Sequence, residues 1–93
     1  MDTKIPQTKN EAFAQLDEML SEKDKQDFVK RDAIEFHFSL GMWIRNNWIY
    51  KQEEEDVNRL AKAFRIEFII FDPDGLSGQI IESYQRHLKR KGL

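Results

Sequence analysis

The 93-residue sequence has no cysteine, two prolines, four glycines and no long apolar run. Without cysteine there is no disulfide framework, no thiolate nucleophile and no thiolate metal site. Without a run of about 20 apolar residues no segment reads as a membrane-spanning helix, and the opening MDTKIPQTKNEAF has no apolar core of signal-peptide length. The expectation is a soluble, cytoplasmic chain with no membrane contact. Gly75 and Gly78 form no phosphate loop, because no lysine follows them and no strand leads in. A histidine metal pair is absent too: His37 and His87 are far apart, and Gly41 stands where an H-x-x-x-H pattern needs its second histidine. Ser39 beside His37 is no triad signal, since neighbours two apart on a helix face different ways and no third group orients them. No catalytic residue, metal or cofactor is expected, and the chain reads as a non-enzyme.

What is present is an aromatic-rich globular composition. Hydrophobic residues make up 40% and charged residues 34%, which argues against disorder. Seven Phe, two Trp and two Tyr must supply much of one core, each buried ring being worth roughly 1.5–3 kcal/mol. A chain of this length makes one domain without a deep interdomain cleft. The net charge of −2 gives no general reason to bind nucleic acid. The basic run RHLKRK at 86–91 coincides with a helix C-terminus, where cations are expected in any case.

Residues 1–7, polar and containing Pro6, read as a flexible arm ahead of a single helical domain over 8–93. Thr8 and Glu11 stand at capping-box spacing before Phe13, Leu16 and Leu20, predicting a helix over 9–20. Ser21 stops that helix and starts a short, highly charged one anchored by Phe28. Glu53, Glu54, Glu55 and Asp56 place negative charge in the first turn of a further helix, whose buried face is Val57, Leu60, Ala61 and Phe64. Its end is contested by the β-rich run FRIEFIIF, which makes a short extended segment near 66–71 a rival reading. Asp72-Pro73 then opens a last helix with Leu76, Ile80, Tyr84 and Leu88 as its stripe, Ile81 beside it, and a cationic ending at Lys89, Arg90, Lys91 and Gly92.

The middle stretch IEFHFSLGMWIRNNWIY, residues 34–50, holds five of the eleven aromatics. Its first nine residues alternate apolar and polar, the period of a half-buried strand. Against a strand stand the Asp32/Glu35 capping pair, the length of the apolar run, and the wheel, which gathers Glu35, Ser39 and Asn46 on one narrow polar stripe. The segment is therefore read as a mostly buried central helix over about 33–50. The fold class follows: all-α, a compact bundle of four to five helices around that central rod. Gly41 in mid-helix predicts close approach of another helix, the last one through Gly78 being the suggested neighbour.

Arg45 is the most informative polar residue, for the wheel places it between Ile34 and Phe38 in the apolar sector. A buried guanidinium needs a carboxylate or several carbonyls, and Asp72 or Asp74 is the expected partner. Two readings compete: a buried Arg–Asp staple between helices, or an anion or peptide-carboxylate site formed with Asn46, Asn47 and Trp48. His37 falls near Ile44 and Trp48 on the wheel and reads as a core or rim residue.

FHFSLGMWIRNNW, then LAKAF, then DPDGLSGQIIESYQRHL resembles a small bacterial domain family of unknown function, found in Bacteroides-type genomes and carrying a GMWIRNNW motif. The resemblance spans roughly residues 12 to 88. Gly41 to Trp48 match the first motif; Pro73, Asp74 and Ser77 match a second, with Gly75 where an acid is usual. The resemblance implies that Arg45, Asn46, Asn47 and Asp74 work together, and it brings no activity. The functional expectation is a non-catalytic protein–protein interaction module; alternatives are a toxin-neutralising, immunity-like protein, or a small anion- or ligand-binding domain using Arg45, Asn46, Asn47 and Trp48. The expected partner is another protein rather than nucleic acid or membrane, and no motif encodes its identity or the oligomeric state.

Overall fold

Thr8 caps the first helix, its side chain accepting from the Glu11 N–H at 3.1 Å, and α1 runs over Lys9–Met19. The Glu11 carboxylate reaches one residue further back than a capping box requires and accepts from the Gln7 N–H at 2.6 Å. Gln7 in turn accepts from Arg59 Nη1 at 2.6 Å, and Pro6 is buried. Residues 5–7, expected to belong to a flexible arm, are therefore docked: a proline with an apolar ring and a glutamine with two partners hold the entry to α1. The structure is a computed structural model that describes residues 5–50, 52–64 and 73–92.

Ser21 and Asp24 form a full capping box, and α2 follows over Glu22–Lys30 with Phe28 as its buried anchor. The exposed carbonyls at its C-terminal end find a partner on the last helix, where Gln85 Nε2 donates to the Phe28 and Arg31 carbonyls at 3.0 and 2.6 Å. In the fourth helix, α4, over Glu54–Ala63, the acidic first turn and the Val57, Leu60 and Ala61 face are as expected. Phe64 closes it as a buried turn residue. The proposed extended segment near 66–71 and the cap at Asp72 lie outside the described residues. α5, over Pro73–Arg90, buries Leu76, Ile80, Ile81, Tyr84 and Leu88 and ends at Gly92, whose φ of 91° is the left-handed backbone that glycine favours at a helix end.

The middle segment departs from expectation. It is not one helix over 33–50 but three pieces: a 3-10 turn over Ala33–Phe36, a break at 37–39, then α3 over Leu40–Ile44 running directly into a π-helical segment over Arg45–Ile49. Asp32 begins the first piece without a side-chain cap bond, so the capping pair seen in the sequence starts a single tight turn. The reason lies in which side chains can reach the core. The tight turn aims Phe36 at Phe28, their rings meeting edge-on at 4.7 Å, and leaves Ile34 and Phe38 outside at 80% and 78% exposure.

After the break the buried positions are Leu40 and Gly41, Ile44 and Arg45, Trp48 and Ile49. These pairs recur every fourth residue, whereas an α-helix repeats every 3.6, so the last pair would be rotated about 80° from the first. Widening the helix at Arg45 removes that drift and keeps Trp48 and Ile49 against the core. Tyr50 N–H closes the wide turn on the Arg45 carbonyl at 2.6 Å, an i→i+5 bond. The expected nearly enclosed rod is thus a half-enclosed one.

The described residues form an all-α bundle with a radius of gyration of 12.6 Å, close to the ~12 Å expected for a compact domain of this length. One aromatic core joins α1, α2, α4 and α5: Phe13 meets Phe64 edge-on at 5.8 Å and stacks on His87 at 4.4 Å, while Phe28 stacks on Tyr84 at 5.8 Å. Gly41 marks a close approach, as expected, but to Ile81 and to Arg45 itself: an added Cβ would lie 3.4 Å from the Ile81 methyl and 3.0 Å from Arg45 Nη1. At Gly78 an added Cβ would meet nothing, so that glycine is not the counterpart.

Candidate functional site

Arg45 is 5% exposed, and each nitrogen of its guanidinium faces a partner. Nη1 donates to Ser77 Oγ at 2.9 Å, Nη2 donates to the His37 carbonyl at 3.1 Å, and Nε faces Asp74 Oδ1 at 3.5 Å. Of the two aspartates expected, Asp74 is the one that pairs. Two local features make the arrangement. The chain break at 37–39 turns the His37 carbonyl toward Arg45, and the wide turn that begins at Arg45 aims its side chain at the first turn of α5. Ser77 links the two helices, accepting from Arg45 while donating to the Asp74 carbonyl at 3.0 Å. Ser77 matches the second motif but is not expected from the sequence as a partner of Arg45, though it lies four residues before Ile81 and next to Leu76, on the inward side of α5.

The other sequence-predicted residues do not join this clasp. Asn47 donates from Nδ2 to the Trp43 carbonyl at 2.8 Å, supplying a donor where the α-helix widens. Asn46 points outward and is exposed. Trp48 is fully buried, its indole N–H donating to Gln15 Oε1 at 3.0 Å and so tying the middle segment to α1. His37 enters the clasp through its backbone alone; its half-buried ring meets the Phe38 ring edge-on at 5.1 Å. Its wheel position near Ile44 and Trp48 is void, because the helix does not extend back to it. Arg45 lies in the buried sector as expected, but its wheel neighbours Ile34 and Phe38 do not. The side chains of the expected four-residue site therefore go to four places.

A second polar group, not foreseen in the sequence, sits under α1. The buried Tyr84 hydroxyl donates to Asp17 Oδ1 at 2.6 Å, and Lys25 Nζ stands 3.5 Å from the same oxygen. Burial first, then the hydrogen bond and charge of Asp17, push the phenol well above its ordinary range. One turn on, His87 is pressed against Phe13; burial, reinforced by Lys91, lowers its imidazole below the usual value, and Nε2 has no hydrogen-bond partner among the described residues.

The outer side of the middle segment is apolar and open. Ile34 and Phe38 stand out, Met42 follows at 47% exposure, and Met19 lies at 38%. Next to them is a groove of about 360 Å³ between α2 and the middle segment, floored by Leu20, Phe28, Phe36, Leu40 and Trp43. A hollow of about 210 Å³ opens toward α5, bounded by Ile34, His37, Asp74, Ile81 and Glu82. Among the described residues, no cluster of three or more His, Cys, Asp or Glu is arranged to hold a metal ion, and no helix is long and apolar enough to cross a membrane.

No curated protein and no solved structure matches the chain. A family model does match, over residues 5–88, which include both halves of the Arg45 clasp and the open face: the chain belongs to the family described as Domain of unknown function (DUF6794).

Proposed function

We propose that this domain is a non-catalytic protein–protein interaction module whose contact surface is the face of Ile34, Phe38 and Met42 with the groove beside it. One observation carries the reading. Ile34 and Phe38 stand about four-fifths exposed, their chain neighbours Phe36 and Ser39 line an apolar groove, and most of the other described aromatics are buried. Large exposed apolar side chains of this kind are characteristic of partner-binding sites, and a ring as large as Phe38 is a typical anchor. A bacterial origin and a cytoplasmic setting belong to the same proposal, as does the narrower possibility that the partner is a toxin neutralised by this face.

The alternative, an anion or small-ligand site around Arg45, has less support. All three guanidinium nitrogens already face internal partners, and Asn46, Asn47 and Trp48 point elsewhere. A photo-crosslinking amino acid at position 38, compared with one at the exposed α4 position 58, tests the proposal in the native host. A discrete protein adduct at 38 and none at 58 is expected. Adducts of equal intensity at both positions, or none at 38, would overturn it.

A further inference from the structure

The chemistry of the rim says what kind of partner the face accepts, and the inference rests on the interaction reading above. Phe36, Ser39, Leu40 and Trp43 border the groove on the α2 side, while Ala33, Ile34 and His37 border the hollow on the α5 side. The charged residues lining the groove are Asp24 and Asp27, and those lining the hollow are Asp74 and Glu82; neither is lined by a described lysine or arginine. The stretch between Arg31 and Arg45 adds Asp32 and Glu35 and no lysine or arginine.

Some of these carboxylates are already engaged. Asp27 pairs with Arg31 at 3.2 Å, Asp74 with Arg45 at 3.5 Å, and Asp24 accepts from the Ser21 N–H at 3.3 Å. Asp32, Glu35 and Glu82 have no cation partner among the described residues, and all three are exposed. An apolar surface edged by unpaired carboxylates repels an acidic protein or an anionic lipid surface and favours a cationic one.

We infer that the occupant is a cationic amphipathic segment of another protein, most simply a helix. Its apolar side chains cover Phe38 and Met42 and enter the groove against Leu20 and Trp43. Its Lys or Arg side chains lay their stems along Ile34 and Ile81 and bring their heads to Glu35 and Glu82. Among the described residues, the helices of a second copy of this chain do not supply such a segment. The end of α5 is cationic at Arg86, Lys89 and Arg90, but its apolar stripe of Ile80, Tyr84 and Leu88 is buried in its own core, and the apolar sides of α1 and α4 are buried likewise.

The test uses the intact protein and a synthetic helix-forming peptide of about 15 residues with Leu and Lys at helical spacing, beside a counterpart carrying Glu for every Lys. The readout is the Trp43 indole N–H resonance, assigned with Trp43→Phe. The Leu/Lys peptide is expected to shift it saturably and more weakly in high salt, and to bind at least about tenfold more tightly than the Leu/Glu peptide. Glu35→Lys combined with Glu82→Lys, both exposed and able to leave the helical circular dichroism unchanged, should remove that preference. Equal binding of both peptides, abolished by Phe38→Ser, would overturn the cationic chemistry while leaving the interaction face in place. Failure of the Leu/Lys peptide to move Trp43 would overturn it outright. So would concentration-dependent self-association lost in Phe38→Ser, which assigns the face to a second copy, or tighter binding to phosphatidylserine vesicles than to the Leu/Lys peptide, which assigns it to a membrane.

Discussion

The two sides of the middle segment, residues 33–49, follow opposite rules. On the inner side every polar group has a partner: Arg45 has Ser77, Asp74 and the His37 carbonyl, and Trp48 has Gln15. On the outer side Ile34 and Phe38 have almost no protein around them. A buried guanidinium with a partner at each nitrogen holds structure together, whereas apolar side chains kept in water lower no folding energy and point to an external surface. Composition would suggest the reverse, with the charged residue as the site and the aromatics as the core.

Mutation can break this comparison. The largest effect is expected inside: Trp48→Ala leaves a cavity against α1 and should cost about 3–5 kcal/mol, measured by urea unfolding. Arg45→Ala comes next, at about 1.5–3 kcal/mol, because Ser77 and the His37 carbonyl lose a charged donor while the exposed Asp74 carboxylate returns to water. Arg45→Met, which keeps the volume and removes the charge, should cost clearly less. If Arg45→Ala is instead neutral, the clasp is not structural and the anion-site reading returns.

Tyr84→Phe keeps the ring and deletes the bond to Asp17, and should cost about 1.5–3 kcal/mol in the same assay. The His87 contact gives a pH signature. Its imidazole is lowered in the folded state, so the unfolded chain binds the proton more readily than the native one. Stability from this group is therefore complete above the ordinary histidine value of about 6.5 and falls as pH drops below it toward the folded value. Melting temperatures followed from pH 7.5 to 5.5 should decline in the native protein and decline less in His87→Phe. The smallest effect is expected outside: Phe38→Ser should change stability by no more than about 0.5 kcal/mol. A large loss there would show that the outer face contributes to folding and would remove the contrast.

The helices at either end were legible because their signals are local. Thr8, Ser21 and Pro73 start helices where capping chemistry places them, and the 3.6-residue stripe of α5 is the one that is buried. The middle segment was legible only in part. Its alternation of apolar and polar residues and its capping pair both described a single periodic element, whereas the chain changes period twice within seventeen residues, from 3-10 to α to π. A helical wheel drawn at one fixed angle fails across such changes. It therefore located Arg45 inside the protein but also placed Ile34 and Phe38 there, and the side chains of Asn46, Asn47 and Trp48, its neighbours in sequence, point away from the Arg45 clasp.

By itself the sequence determined that this chain is helical, where most of its helices begin, which apolar stripes fill the core, and that Arg45 requires a carboxylate or several carbonyls. Those properties depend on residues within a few positions of one another, or on the cost of burying an unpaired charge. Only the tertiary structure decided that the carboxylate is Asp74, that Ser77 completes the clasp, that Tyr84 bonds Asp17, and that Phe38 faces outward. Each of these depends on how helices distant in sequence meet. That meeting is set by packing around Phe28, Trp48 and Tyr84, and no local pattern records it.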